Sequence, residues 1–413
     1  MQALVIGYVW PEPQSTAAGS RMLQLLDFLV HKQYEVTFAT TASPTPYSVN
    51  PEDLGIHTVE IKLNDPGFDD FLIDLNPQVV IFDRFMTEEQ FGWRVARHCP
   101  EALRILDTED LHFLRKKREE ELKENTAESP VYSDIALREI ASIYRCDLSL
   151  IISLAEMDLL NSQFNIPLNL LLYLPILFDT INQNHIHSLP GYEERNDFIC
   201  IGNFKHAPNV DAVKYLKDEI WPLIYKQVPQ AKMLVYGAYA SQKIESLNDP
   251  AINFLIKGRA KDSREVVKNA RVSLAPLRFG AGLKGKVLEA MFCGTPFVTT
   301  TIGAEGIINR GKKDQIYNDP VEFAKGAVQL FLNKDKWHLA ANRGFGIINS
   351  AFEKSQYYNS LLERLLVLKK DLAKHREGNF TGAMLQHHQL KSTYFLSKYI
   401  ETKNLLEKLI QDK

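Results

Sequence analysis

The stretch Arg278–Val298, RFGAGLKGKVLEAMFCGTPFV, concentrates residues able to do chemistry. Gly280, Gly282 and Gly285 satisfy G-x-G-x-x-G, and Lys284, Lys286 and Glu289 stand among and just after them. Glycines let a backbone approach a ligand closely, and the amides opening a helix turn the positive end of its dipole toward it. The lysines add full charges at the same place. Val287, Leu288 and Met291 supply a buried helical face, which leaves Lys286 and Glu289 together on the open one. A carboxylate is repelled by a diphosphate, so Glu289 is suited to accept hydrogen bonds from ribose hydroxyls next to it. The constellation fits a nucleoside diphosphate carrying a group to be transferred. The plain alternative is a surface i, i+3 pair of Lys286 and Glu289, worth about 0.2–0.5 kcal/mol, with Lys284 solvated.

The same glycines could hold a dinucleotide, but their surroundings argue otherwise. The loop follows about the fifth strand of its domain, not a first βα unit. The next strand ends in Thr299-Thr300-Thr301 without a ribose-binding acid, and the helix from Lys286 to Cys293 is short for a dinucleotide crossover.

Such a loop needs a scaffold. Ala3–Tyr8 is an apolar run suited to a parallel strand buried on both faces. The loop WPEPQSTAAGS follows, and Met22, Leu25, Leu26 and Leu29 then mark one helical face. Apolar runs recur at Glu35–Thr40, Val79–Phe82, Arg104–Leu106 and Leu148–Ile152, alternating with helical stretches. After the polar segment Leu174–Asn196, which reads as a linker, a second series begins. Its strands are Phe198–Ile201, Lys232–Tyr236, Ile252–Ile256, Arg271–Ala275 and Phe297–Thr300. This is α/β architecture: two doubly wound domains in tandem, with a ligand cleft between them. From about residue 330 the pattern is helical. The charged run RKKREEELKEN, Arg115–Asn125, reads as a solvated helix face.

Composition agrees. A chain of 413 residues is long for one core, and 45% hydrophobic with 24% charged residues describes a soluble globular protein. A formal net charge of −3 offers no general attraction to nucleic acid. Cys99, Cys146, Cys200 and Cys293 are scattered without metal-ligand or disulfide spacing, which fits a reducing compartment. Neither a membrane span nor a secretory leader is expected, so the setting is the cytoplasm, with the inner face of a membrane left open.

Over roughly residues 3–350 the chain resembles the family 4 glycosyltransferases of the GT-B fold, also called group 1 transferases. The most specific block is RFGAGLKGKVLEAMFCGTPFVTTTIGAEGI, Arg278–Ile307; FICIGNFKHAPNVDAVKYLKDEIWPLI, Phe198–Ile224, is similar to the start of the family's donor domain. The resemblance implies two Rossmann-like domains. Residues 1–180, joined by C-terminal helices at about 350–413, would bind the acceptor, and 190–345 a nucleotide sugar. It implies transfer with retention, with no cofactor beyond the donor and no essential metal. Asp107-Thr-Glu109-Asp110 is an imperfect D-x-D. The partners would be a nucleotide-sugar donor and a glycan, lipid-linked or protein acceptor, with no nucleic acid; peripheral membrane contact is left open.

Residue by residue, Glu289 matches the second glutamate of the family's E-x7-E element, while the place of the first is held by Ala281. Asn203 and Asn209 stand where many members carry Arg and Lys, with Lys284 and Lys286 available to replace them. Gly19 matches the glycine-rich loop of the first domain. Arg259, Arg278, Gly282 and Glu305 fall at donor-contact positions, Arg259 and Glu305 being equally compatible with structural turns. His112 and Asp110 are the candidates for catalysis; His112 could instead cap a helix or end a strand, and Asp110 could cap the helix entering at Leu111. Two other readings stay open, a related nucleotide-sugar epimerase and an inactive scaffold, the latter prompted by Ala281.

Overall fold

The computed structural model describes residues 1–126, 131–308 and 314–411. Seven parallel strands form the first sheet: β1 (Gln2–Gly7), β2 (Glu35–Thr40), β3 (His57–Glu60), β4 (Val79–Asp83), β5 (Leu103–Asp107), β6 (Leu148–Ile151) and β7 (Leu171–Tyr173). Their spatial order is β3-β2-β1-β4-β5-β6-β7. Parallel strands covered by helices on both faces read as unbroken apolar runs, and Leu4, Val5, Ile81 and Leu106 are buried as that requires. The edge strands β3 and β7 were not expected. HTVE is polar and half-exposed, so β3 carries no such run; β7 lies in the apolar stretch Leu170–Leu174 but is only three residues long and continues a 3-10 turn.

The second sheet contains β8 (Asn196–Ile201), β9 (Met233–Tyr236), β10 (Phe254–Gly258), β11 (Ala270–Ala275) and β12 (Phe297–Thr299), in the order β10-β9-β8-β11-β12. Both sheets reverse direction beside their first strand, and ligand crevices form beyond the carboxyl ends there. The glycine loop follows β11, the fourth strand of its domain in sequence and not the fifth.

The chain crosses back at Phe352, where Phe178 N–H donates to the Phe352 carbonyl at 2.8 Å and Lys354 N–H to the Phe178 carbonyl at 2.9 Å. Helix Lys354–Lys370 then buries Leu361, Leu365 and Leu368 in the first domain's core with Val5 and Phe28. Each such side chain contributes about 1.5–3 kcal/mol. Helix Phe380–Gln411 packs on the same domain, where Ser397 and Glu401 receive Arg94. No helix of the described residues is long and apolar enough to cross a membrane. All four cysteines are free and buried.

Candidate active site

A cleft of about 800 Å3 lies between the two sheets' carboxyl ends. Of the residues singled out in the sequence, Gly19, Asp110, His112, Asn203, Arg259, Gly282, Lys284, Lys286 and Glu289 line it. Arg278 and Glu305 do not. Arg278 turns to Asp211, with its guanidinium over the Tyr215 ring at 4.7 Å. Glu305 is held fork to fork by Arg118 from the other domain, both contacts at 2.7 Å. A short arginine or glutamate signal in sequence cannot tell a ligand contact from a partner already taken.

Helix Gly285–Phe292 opens at the cleft without a side-chain cap. Val287 N–H turns back to the Lys284 carbonyl at 2.8 Å, which leaves the Gly285 and Lys286 amides to meet an anion. Lys286 Nζ donates to Asn209 Oδ1 at 2.5 Å, and Asn209 in turn donates to the Asn203 carbonyl at 2.8 Å. Gly202 gives the ammonium room, since a Cβ there would lie 2.8 Å from Nζ. Burial lowers the Lys286 pKa and raises that of Glu289. Ser263 Oγ donates to Glu289 at 2.6 Å. Lys284 differs from the expectation of a free cation. Its Nζ folds into its own loop and donates to the carbonyls of Ala281 (2.9 Å) and Gly282 (2.6 Å). Arg259 lies over Tyr47 at 4.3 Å, and among the described residues its buried Nε has no partner.

The glycines also have a second use. Arg118 donates to the Gly280 carbonyl at 2.7 Å. Gly282 has φ +64°, and a Cβ on it would meet the Asp110 Cβ at 2.8 Å; one on Gly285 would meet the Ala17 Cβ at 2.7 Å. Gly19 is required inside its own domain, because a Cβ would lie 2.5 Å from the Glu12 backbone.

On the facing side, Arg84 (φ +70°) directly follows β4 and Glu109 (φ +61°) lies two residues past β5, both left-handed and both lining the cleft. Non-glycine residues held this way persist where the surroundings over-determine them, which is common at functional sites. Burial, with Asp107 nearby, raises the Glu109 pKa. His112 lies 3.6 Å from Asp110, edge-on to Phe85, and burial pushes its pKa down to about 4. Asp110 does not cap the helix as one reading expected. It pairs with Arg115, and its pKa falls despite burial because Arg115 and His112 face it. The helix His112–Glu124 is capped from a neighbouring helix, with Glu139 accepting the N–H groups of His112 and Phe113, each at 3.1 Å.

Asp107 is also excluded from the imperfect D-x-D, being fully buried and bound by Arg21. Among the described residues, no three His, Cys, Asp or Glu side chains are grouped to hold a metal ion. Sequence reasoning missed Arg84, Arg118 and Glu139, and named Glu109 only within the imperfect D-x-D. A left-handed φ leaves no mark in the sequence, and the capping and clasping partners lie far away along the chain.

Residues 195–333 match the family model described as glycosyl transferases group 1. A curated relative, an uncharacterised protein in the cps region of Klebsiella pneumoniae, is 24% identical over 173 residues; the match spans 40% of this chain and 45% of that protein. Among solved structures, Anabaena HepE in complex with UDP and glucose is 14% identical with a TM-score of 0.64, covering 88% of this chain and 99% of that one. Sucrose-phosphate synthase from Thermosynechococcus elongatus is 16% identical with a TM-score of 0.64, covering 89% and 99%. With its two parallel sheets facing across a cleft, the fold is GT-B.

Proposed function

We propose, on the premise that residues 195–333 form a group 1 glycosyl transferase domain in a GT-B chain, that the protein moves a sugar from a nucleoside-diphosphate sugar to an acceptor with retention at the anomeric carbon. One observation carries this reading: Lys286 and Glu289 both line the interdomain cleft at the uncapped start of helix Gly285–Phe292.

Transfer develops negative charge on the departing diphosphate. The helix amides, Lys286 and Arg259, whose Nε has no hydrogen-bond partner among the described residues, meet that charge, so no metal ion is required in this account. Fixed donors of this kind stabilise the transition state more than the ground state, and losing one typically costs roughly 3–4 kcal/mol of barrier. Glu289, already holding Ser263, accepts from the ribose. With its pKa near 4, His112 is neutral at ordinary pH and offers the donor sugar a hydrogen bond without a competing charge. Retention needs no strong protein base, because the leaving phosphate oxygen can take the acceptor's proton. Closure of the two domains on the donor would exclude water and suppress its hydrolysis. Arg84 and Glu109 stand on the acceptor side.

The cps-region relative supports a polysaccharide or other glycoconjugate as the acceptor. A cytoplasmic setting follows from the same reading. Ala281, in place of the family's first glutamate, motivates the second reading, an inactive binding protein. A thermal-shift screen against UDP-, GDP-, ADP- and dTDP-sugars separates the two. Stabilisation by one nucleotide class supports the transferase, and no shift with any of them rejects it.

A further inference from the structure

The three glycines of the fingerprint touch the opposite domain, and Glu156 stands at the centre of that contact. It sits in the first turn of helix Leu154–Phe164, completely buried. Its Oε1 accepts two backbone N–H groups, Leu111 from its own domain at 3.1 Å and Gly282 from the donor loop at 2.8 Å. The first belongs to the turn that presents Asp110 and His112. The second belongs to the loop that leads into the Lys286 helix. A single oxygen thus sets the separation between the two halves of the candidate site.

We propose that Glu156 is a positioning residue, which holds the donor loop in register with the Asp110–His112 turn through the Gly282 N–H. The inference rests on the transferase reading and deepens it.

Neighbouring contacts make the register narrow. Gly282 has no room for a side chain against Asp110, and a Cβ on Gly306 would lie 2.6 Å from Ser153 Oγ, at the start of the Glu156 helix. Arg118 fixes the same loop two residues earlier, at the Gly280 carbonyl. Among the described residues, Glu156 Oε2 is buried without a partner. The charged and titratable groups facing Glu156 are Asp110, Glu139 and Lys284. Burial and the Asp110 charge raise its pKa to about 7, and the two N–H groups meet a single oxygen, Oε1, which a glutamine amide oxygen can replace.

The test uses the full chain and whichever nucleotide sugar of the UDP, GDP, ADP and dTDP panel stabilises it, with water as the acceptor and the residual release of nucleoside diphosphate as the readout. Glu156→Ala should keep the donor-induced thermal shift and the donor KM, while kcat falls about 100-fold, the scale of an ångström-sized misplacement. Glu156→Gln should restore kcat. An unaltered kcat in Glu156→Ala, or a Glu156→Gln as impaired as the alanine variant, overturns the proposal. If Glu156→Ala does not fold, Gly282→Ala separates the pair with Glu156 intact, and an unaltered kcat there has the same force. A wild-type chain that no nucleotide sugar stabilises overturns the transferase reading itself, an outcome distinct from either of these.

Discussion

Arg118 and Glu305 bind each other between the two domains, guanidinium to carboxylate, with both N–H···O contacts at 2.7 Å. Arg118 belongs to the first domain's charged helix and Glu305 to the loop beyond β12, and the same guanidinium reaches the Gly280 carbonyl. The charged run expected to face solvent therefore turns one edge onto the glycine loop. Both side chains remain about one-fifth exposed, so salt can reach the pair.

Arg118→Ala should weaken closure by about 1 kcal/mol, the upper range for a pair that solvent can screen. That corresponds to about a fivefold loss of kcat/KM. Wild-type kcat/KM should fall with added salt more steeply than that of the variant. Parallel salt profiles would contradict the clasp.

Gly19→Ala should destabilise the first domain. The added Cβ meets the Glu12 backbone, which cannot rotate away as a side-chain end could. Overpacking of this kind costs about 1–3 kcal/mol, readable as a lower urea midpoint at unchanged slope.

Arg21 donates to Asp107 and to the carbonyls of Leu174 and Pro175, tying the first helix to β5 and to the start of the interdomain connection. Arg21→Met leaves Asp107 buried and unpaired, at a cost of about 3–5 kcal/mol. The double variant with Asp107→Leu should recover most of that loss. Equal destabilisation of the single and double variants would contradict the explanation.

Stability should peak near the middle of the pH range. The His112 pKa is pushed down to about 4 from 6.5, so between these values the unfolded chain holds the extra proton. Its contribution is complete above 6.5 and is lost as pH falls through the folded value. Glu139 behaves oppositely. Its pKa is pushed up from 4.5 to about 8, mainly by burial, so stability declines as pH rises through that interval. In melting temperatures against pH, His112→Asn should flatten the acid limb and Glu139→Gln the alkaline limb. Glutamine keeps an acceptor for the helix that Glu139 caps.

The two domains were legible because doubly covered strands such as β1 and β4 carry near-continuous apolar runs, Ala3–Ile6 and Val79–Phe82, whereas the edge strand β3 is free to be polar. Lys286 and Glu289 could be placed together from helical spacing alone. The glycines were only half legible: their need for close approach was visible, but not that Asp110 and Ala17 are among what approaches. Arg278 and Lys284 look like free cations in one dimension. In the fold, Asp211 and the loop carbonyls claim them. Arg84 and Glu109 owe their place to backbone conformations that no residue type announces.

The most direct test of the donor site is a calorimetric titration of the preferred nucleoside diphosphate into the wild type, Lys286→Ala and Glu289→Ala. The account predicts a saturable isotherm for the wild type and affinity at least about tenfold weaker in each variant, which is one lost contact of about 1.4 kcal/mol. Equal affinity in all three would mean that the ligand does not rest on the helix Gly285–Phe292, and the account would fail.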